Sequence, residues 1–180
     1  MIRGAIRLAI VGAGIGYALD RVLSEQSEGD EPEPISSMIV VDAGIEQTWD
    51  VLSDIASQPV WMAEMKDIRI PSGVPVGVGM TCEADVRIFG ITVTDPVTIT
   101  EFERPYRYAI SHDGTFKGHG TITLESGADG TTTIVRWDEL LIPPVLPHLG
   151  ALVMAPALGA IFQADLVRFK ELVETGPAAD

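Results

Sequence analysis

The sequence predicts an α+β domain, and three observations support this prediction. Five or six segments in the middle of the chain alternate apolar and polar residues with a period of two, which indicates an antiparallel sheet. An amphipathic helix precedes these segments, and a helix from about Leu149 to Thr175 ends the chain. The chain has 180 residues and a single cysteine, Cys82, so it can bury a core of its own without an internal disulfide.

The first 23 residues predict a separate apolar helix. The stretch from Ala9 to Asp20 begins like a dinucleotide-binding loop, with glycines at positions 12 and 14. Tyr17 stands where the third glycine of that fingerprint should allow close helix–strand packing, and no second strand with an acidic end follows. We therefore read the segment as a helix, which would be about 33 Å long at 1.5 Å per residue.

The small residues of this helix indicate a packing surface. Gly12 and Gly16 share a side with several alanines, an arrangement that lets helices approach closely in lipid. Arg3 and Arg7 precede the uncharged part, where long basic side chains can reach the membrane interface. We expect residues 1–23 to contact a membrane or a membrane-protein partner. The protein would then be membrane-associated, on a side that the sequence does not indicate. A helix docked on a protein, and a signal peptide or frayed tail, are the alternatives.

An acidic linker, residues 24–35, separates this helix from the main domain, residues 36–175, and residues 176–180 form a tail. The linker has five acidic residues, no basic ones and two prolines, which excludes a buried strand. The net charge of the whole chain is −14. Because nucleic acids need a basic face, this charge argues against a nucleic-acid partner.

The main domain begins with a strand at residues 37–44 and an amphipathic helix that carries Trp49. In the strands that follow, alternate residues form apolar faces. One such face includes Val86 and Ile88, and another includes Tyr108 and Ile110. Asp95-Pro96 predicts a bulge. The last strand has two possible registers, of which one buries Trp137 and Glu139 and the other buries Arg136 and Asp138.

Residues 36–175 resemble the START-like superfamily, also called SRPBCC, of polyketide cyclase/dehydrase and lipid-transport domains. The family's opening strand and helix, with an A-x-x-E-x-x-W-x-x-x-x-D pattern and a P-x-W turn, match Ala43, Trp49, Asp54, Pro59 and Trp61. The passages EFERPYRYAIS and DGTTTIVRW also look like the family's. The resemblance implies a helix-grip fold, in which a curved antiparallel sheet wraps a long C-terminal helix.

The resemblance also implies a cavity for a hydrophobic small molecule or lipid, such as a sterol, polyketide or isoprenoid. Apolar residues on the predicted inward faces are candidates to line it, although each could instead fill the core. The candidates are Trp61, Met65, Val86, Ile88, Tyr108, Ile110, Trp137, Leu152 and Phe162.

Three functions stay open at this stage: a non-catalytic carrier, which we favour, a cyclase/dehydrase or aromatase-type enzyme, and an accessory subunit of a membrane complex. Glu139 with Tyr108, or Arg136 with Asp138, are the acid/base candidates.

The sequence indicates no metal site and no cofactor, because the three histidines lack ligand spacing. We expect His119 to face water and His112 to lie in a turn.

Overall fold

The computed structural model of the chain describes residues 2–26, 31–88 and 90–176, and side chains of its first helix from residue 13 to residue 25. The helices are α1 (Ile2–Gln26), α2 (Ile45–Ser53), α3 (Gln58–Trp61) and α4 (Pro147–Thr175), with a 3₁₀ turn at Ile55–Ser57. The strands are β1 (Ile35–Val41), β2 (Met65–Arg69), β3 (Thr81–Ile88), β4 (Ile91–Glu103), β5 (Arg107–His112), β6 (Lys117–Ser126) and β7 (Thr133–Ile142).

The strands form one antiparallel sheet in the order β1-β7-β6-β5-β4-β3-β2. Strands β2 to β6 each pair with the next strand in sequence, and β1 pairs with β7 along its whole length, from Ile35 opposite Glu139 to Val41 opposite Thr133. The long helix α4 packs on one face of the sheet. The α+β prediction and the helix-grip fold are therefore confirmed.

Strand β4 corrects one detail of the sequence prediction. No bulge occurs at Asp95-Pro96, because Pro96 pairs regularly with Glu83 of β3. The carbonyl of Pro96 accepts a hydrogen bond from the Asp113 backbone, just beyond the end of β5. The N and C=O of one residue point to the same side of a strand, so the missing N–H of proline falls where β5 has already ended. The irregularity of β4 lies instead between Ile99 and Glu101, where the register with β5 shifts.

The C-terminal half of α4 supplies one face of the core. Its buried residues recur every three or four positions, the period of one helix face. Aromatic rings continue this contact into the sheet: Phe162 lies 4.7 Å from Trp137 between ring centroids, and Phe169 lies 5.1 Å from Trp61. Rings at such separations attract one another beyond the burial of their area. The residues of the buried α4 face are Leu158, Phe162, Asp165, Leu166, Phe169 and Val173.

Helix α1 contacts the first turn of α4. The Asp20 carboxylate is buried and accepts a hydrogen bond of 2.8 Å from the backbone N–H of Leu149, the third residue of α4. The residue before α4, Leu146, has a left-handed backbone and makes no side-chain cap. Asp20 therefore supplies from another helix the cap that the α4 sequence lacks, and its charge suits the positive end of the helix dipole.

The predicted contact residue Gly16 lies at the same junction. A Cβ atom at Gly16 would be 3.3 Å from Cδ1 of Leu146, so this glycine faces the chain's own α4 segment. The side chains of Arg3 and Arg7 and the surroundings of Gly12 lie outside the described part of α1. Four residues of the linker, 27–30, and four of the tail, 177–180, also lie outside them.

Replacing the cap should separate its contribution from that of the helix itself. We expect Asp20→Ala to lower the free energy of unfolding by about 0.5–2 kcal/mol, because the first turn of α4 loses its acceptor. Asp20→Asn should lose less, since its side-chain oxygen can still accept the bond. Urea denaturation at neutral pH measures both changes, with the exposed Glu25→Ala in the same helix as the control. An Asp20→Ala loss no larger than that of Glu25→Ala would contradict the capping role.

Candidate functional site

A cavity of about 350 Å³ lies between the sheet and α4. This volume is within the range of small-molecule pockets in proteins. Strands β3 to β7 form one wall, α3 and the start of β2 form a second, and α4 contributes Met154 and Phe162. Most of the lining is apolar, and the polar side chains include Asp95, His112 and Glu139. The cavity is therefore an apolar space with one strongly polar region.

Most of the residues predicted to line a cavity are brought together here. Those from the sheet side share a face because they alternate along their strands, and Phe162 faces them from α4. The predicted residues that line the cavity are Met65, Val86, Ile88, Tyr108, Ile110, Trp137 and Phe162.

Two predicted lining residues lie elsewhere. Trp61 is fully buried in the core, where its ring is edge-on to Trp137 and Phe169, and it does not line the cavity. Leu152 is 58% exposed, because the first half of α4 turns that side away from the sheet. Met154, two residues further along the helix, takes the lining position.

The polar region is a row of hydrogen bonds through one histidine. His112 Nδ1 lies 2.6 Å from Oδ2 of Asp95, and His112 Nε2 lies 2.6 Å from Oε1 of Glu139. The indole N–H of Trp137 donates to the other oxygen of Glu139 at 2.7 Å, and the backbone N–H of Gly114 donates to the other oxygen of Asp95 at 3.1 Å. We call Asp95, His112 and Glu139 the cavity triad.

Three different strands position the triad. Asp95 is in β4, His112 is the last residue of β5 and Glu139 is in β7. His112 lies opposite Val97 of β4, while β6 separates it from Glu139. The prediction that His112 lies in a turn is wrong, because His112 is the last residue of β5 and its side chain is only 12% exposed.

Two glycines make room for the carboxyl groups of the triad. Gly120 of β6 lies directly opposite Glu139, and a Cβ atom at Gly120 would collide with the Glu139 carboxyl oxygen. A Cβ at Gly114 would collide in the same way with the carboxyl oxygen of Asp95. The carboxyl groups therefore occupy space that any other residue at positions 114 and 120 would fill.

The triad holds a positive charge on His112. Burial opposes the charged ring, but the hydrogen bonds and negative charges of Asp95 and Glu139 outweigh burial and raise the pKa of His112 to about 10. At neutral pH both ring nitrogens carry protons, and each donates to a carboxylate.

The structure selects one of the two registers left open for β7. Trp137 and Glu139 are buried on the cavity side, whereas Arg136 is exposed on the opposite face. Asp138 shares that outer face, where it accepts a hydrogen bond of 2.5 Å from the Ser36 hydroxyl. Of the two acid/base pairs proposed from sequence, only Glu139 and Tyr108 reach the cavity. Burial raises the pKa of the Tyr108 hydroxyl, which keeps it protonated.

A second buried carboxyl group, Glu64, lies on the α3 side of the cavity. Burial raises its pKa to about 8, and the neighbouring carboxylate of Asp165 on α4 adds to this shift. Asp165 also accepts a hydrogen bond of 3.1 Å from the Ala63 backbone and pairs with Arg168, which donates to the carbonyl of Trp61 at 2.9 Å. This network ties the loop after α3 to α4, and the raised pKa favours the protonated form of Glu64.

The alternation of apolar residues in β4 and β5 contains a signal for the triad. Asp95 has the same parity as Val93 and Val97, and His112 has the same parity as Tyr108 and Ile110. Extending each apolar face by one polar position would have placed both side chains inside the sheet. The expected bulge and the early end of β5 hid this alternation.

An antiparallel sheet that grips a C-terminal helix over an apolar cavity defines a helix-grip ligand-binding domain. The family model described as polyketide cyclase / dehydrase and lipid transport matches residues 34–174. The chain belongs to this family, and the resemblance stated from its residues is confirmed. Family and fold both support binding of a hydrophobic ligand.

Solved structures with the same fold are distant in sequence. A START superfamily protein from Mycobacterium smegmatis has 19% identity and a TM-score of 0.64, covering 79% of this chain and 98% of that one. A Deinococcus radiodurans protein has 18% identity and a TM-score of 0.61, covering 80% and 98%. A Thermus thermophilus protein has 14% identity and a TM-score of 0.61, covering 81% and 99%. No curated protein matches the sequence.

The charge on His112 should depend on the space that Gly120 leaves. We expect Gly120→Ala to displace the Glu139 side chain and to lower the His112 pKa by about one unit or more, since one of the two carboxylates that stabilise the His112 cation moves away. Ring titration by NMR measures this change. Gly77→Ala is the matched control, because a Cβ at Gly77 meets nothing within 4 Å. An unchanged His112 titration in Gly120→Ala would contradict the proposed role of this glycine.

The same shift predicts a pH dependence of stability. The folded-state pKa of His112, about 10, exceeds its ordinary value of 6.5, so the folded protein holds this proton more tightly than the unfolded chain. The resulting stabilisation is complete below pH 6.5 and is lost as the pH rises to about 10. We expect the stability difference between wild type and His112→Gln to shrink across this window in urea denaturation. A difference that is constant with pH would show that the triad does not hold the proton.

Proposed function

We propose that the protein binds a hydrophobic small molecule in this cavity and exchanges it at a membrane. The observation that carries the proposal is the cavity itself, which combines an apolar wall with a buried polar triad. A solid core would not leave a space of about 350 Å³. An apolar cavity of this size loses packing contacts unless a ligand fills it.

The helices at the α1–α4 junction support the membrane part of the proposal. Both expose apolar side chains to solvent: Ile15, Leu19 and Val22 in α1, and Leu152 and Val153 in α4. Among the described residues, α4 is the helix long and apolar enough to cross a bilayer by length and composition. Its second half is gripped by the sheet, so its first half is the part free to contact lipid.

The exposed apolar residues lie close to the cavity along the chain. Val153 is 70% exposed, whereas the next residue, Met154, lines the cavity. One turn of α4 therefore has a face toward solvent and a face toward the ligand space. A ligand that leaves the cavity beside Met154 would enter a lipid surface held against Leu152 and Val153 without crossing water.

The cavity triad favours a second candidate function, an acid–base enzyme. Each carboxyl oxygen of Glu139 accepts a hydrogen bond, one from His112 and one from Trp137, and the His112 ring connects Glu139 to Asp95. The Glu139 carboxylate can take a proton from a bound molecule, and the protonated His112 ring can stabilise the negative charge left on that molecule. Ligands extracted from wild type and from Glu139→Gln decide between the functions: a carrier holds the same molecule in both, whereas an enzyme holds an unprocessed precursor in the variant.

Filling the cavity should remove the ligand. We expect Val86→Trp to abolish most of the bound small molecule found by native mass spectrometry and organic extraction, because the larger side chain points into the cavity. Arg87→Trp is the matched control, since the adjacent residue is exposed on the other face of β3. Wild-type protein that carries no apolar ligand, or equal occupancy in both variants, would contradict cavity binding.

A charge on the exposed part of α4 should weaken membrane contact. We expect Val153→Glu to reduce cosedimentation with phosphatidylcholine vesicles severalfold, since a carboxylate must lose water to enter the interface. Uncharged vesicles avoid repulsion by the acidic protein. Point substitution is preferable to deletion of α1, which would also remove the Asp20 cap.

Val167→Glu is the matched control for this prediction. Val167 is 43% exposed on the second half of the same helix, away from the α1 junction. The two variants therefore add the same charge to α4 at different places. Equal vesicle binding of Val153→Glu and wild type would contradict the membrane role but would not affect the proposal that the cavity binds a ligand.

A further inference from the structure

The charged groups that face the cavity are almost all acidic. Among the described residues that line it, the ionisable ones include Glu64, Asp95, His112 and Glu139, and none is a lysine or an arginine. Burial and Asp165 raise the pKa of Glu64 to about 8, which favours its protonated form at neutral pH. The triad itself has one histidine cation between two carboxylates, so its formal charge is −1.

The one cation cannot serve an anionic ligand. Both N–H groups of the His112 ring donate to carboxylates of the triad at 2.6 Å. An incoming carboxylate or phosphate would have to displace Asp95 or Glu139 and would leave that carboxylate buried without its partner. Burying an unpaired charge is strongly unfavourable.

The free hydrogen-bonding capacity of the triad consists of acceptors. An ionised carboxylate has about four lone-pair sites. Asp95 uses two of them, for His112 and the Gly114 backbone, and Glu139 uses two, for His112 and Trp137. The donors of the triad are taken, while oxygen lone pairs remain. Three further polar side chains line the cavity, those of Gln58, Tyr108 and Thr115, and each can donate or accept, so they exclude neither kind of partner.

We propose that the ligand of this cavity is an apolar molecule with a hydrogen-bond-donating head group, a hydroxyl or an amine, that binds against Asp95 and Glu139. This inference rests on the proposed function, because it names the polar end of the ligand that the cavity holds. The donor head group completes the acceptor sites of the triad, and the apolar body lies against Val86, Ile110 and Phe162. The same charges disfavour fatty acids and phosphate-bearing lipids. The acidic surface of the chain, with its net charge of −14, acts in the same direction on approach.

Three probes with the same alkyl chain test the head group. Isothermal titration calorimetry of the full-length protein at neutral pH with decanol, decylamine and decanoate, each below its micelle concentration, compares donor with anion. We expect decanol and decylamine to bind and decanoate to bind at least about tenfold more weakly, since an unpaired buried charge costs more than the 1.4 kcal/mol of one decade. Val86→Trp should abolish binding of the two donors, which places them in the cavity.

Removing one charge of the triad should reduce the discrimination. We expect Glu139→Gln, which preserves the shape of the side chain, to shrink the ratio of decylamine to decanoate affinity severalfold. Glu125→Gln is the control, because Glu125 is an exposed residue of β6. An unchanged ratio in Glu139→Gln would overturn the assignment of the head-group site.

The two levels of the proposal fail differently. Decanoate binding as tightly as decanol in wild type, and lost in Val86→Trp, would overturn the head-group inference while the cavity remained a ligand site. If none of the probes bound, or if Val86→Trp bound them like wild type, the proposed function itself would fall and the inference with it.

Discussion

The contact between the second half of α4 and the sheet is the interaction on which the other features depend. Leu158, Phe162, Leu166, Phe169 and Val173 form one buried stripe along the helix. Each such side chain contributes roughly 1.5–3 kcal/mol by leaving water. The two α4 residues that line the cavity, Met154 and Phe162, lie around the start of this stripe. The cavity therefore adjoins the end of α4 where the buried stripe begins.

A pair of aromatic rings sets the boundary between core and cavity. Trp137 of β7 and Phe162 of α4 lie 4.7 Å apart between centroids, and both line the cavity. Behind them Trp61 and Phe169 belong to the solid core. Trp137 also donates its indole N–H to Glu139, so the ring that closes the core also orients the polar end of the cavity. Packing and site chemistry therefore meet in one side chain.

The sequence was sufficient to predict the elements and the family, because their signals are local. The period of two in the strands, the helical spacing in α2 and α4 and the P-x-W turn all lie within a few residues of one another. The same alternation placed Val86, Tyr108 and Ile110 on the cavity side. These faces follow from strand geometry alone.

The triad could not be assembled from the sequence, because its contacts cross several strands. Glu139 reaches His112 over β6, and it can do so only because position 120 is a glycine. Which residue of β7 lies opposite Gly120 depends on the register of a pair, and two registers fitted the sequence equally well. The positions of Leu152 and Trp61 could not be predicted for a related reason, since apolar character does not show whether a side chain faces core, cavity or solvent.

The triad is better explained by binding than by stability. Three ionisable side chains inside a small domain lose hydration, and an apolar replacement of a buried ion pair is often neutral or stabilising. The chain nevertheless has glycines at positions 114 and 120, where a larger residue would displace the carboxyl groups. Hydrogen bonds from Trp137 and the Gly114 backbone also hold those groups in place. Such preorganisation reduces the reorganisation needed when a polar group arrives, which is the advantage that a binding or catalytic site requires and a stable core does not.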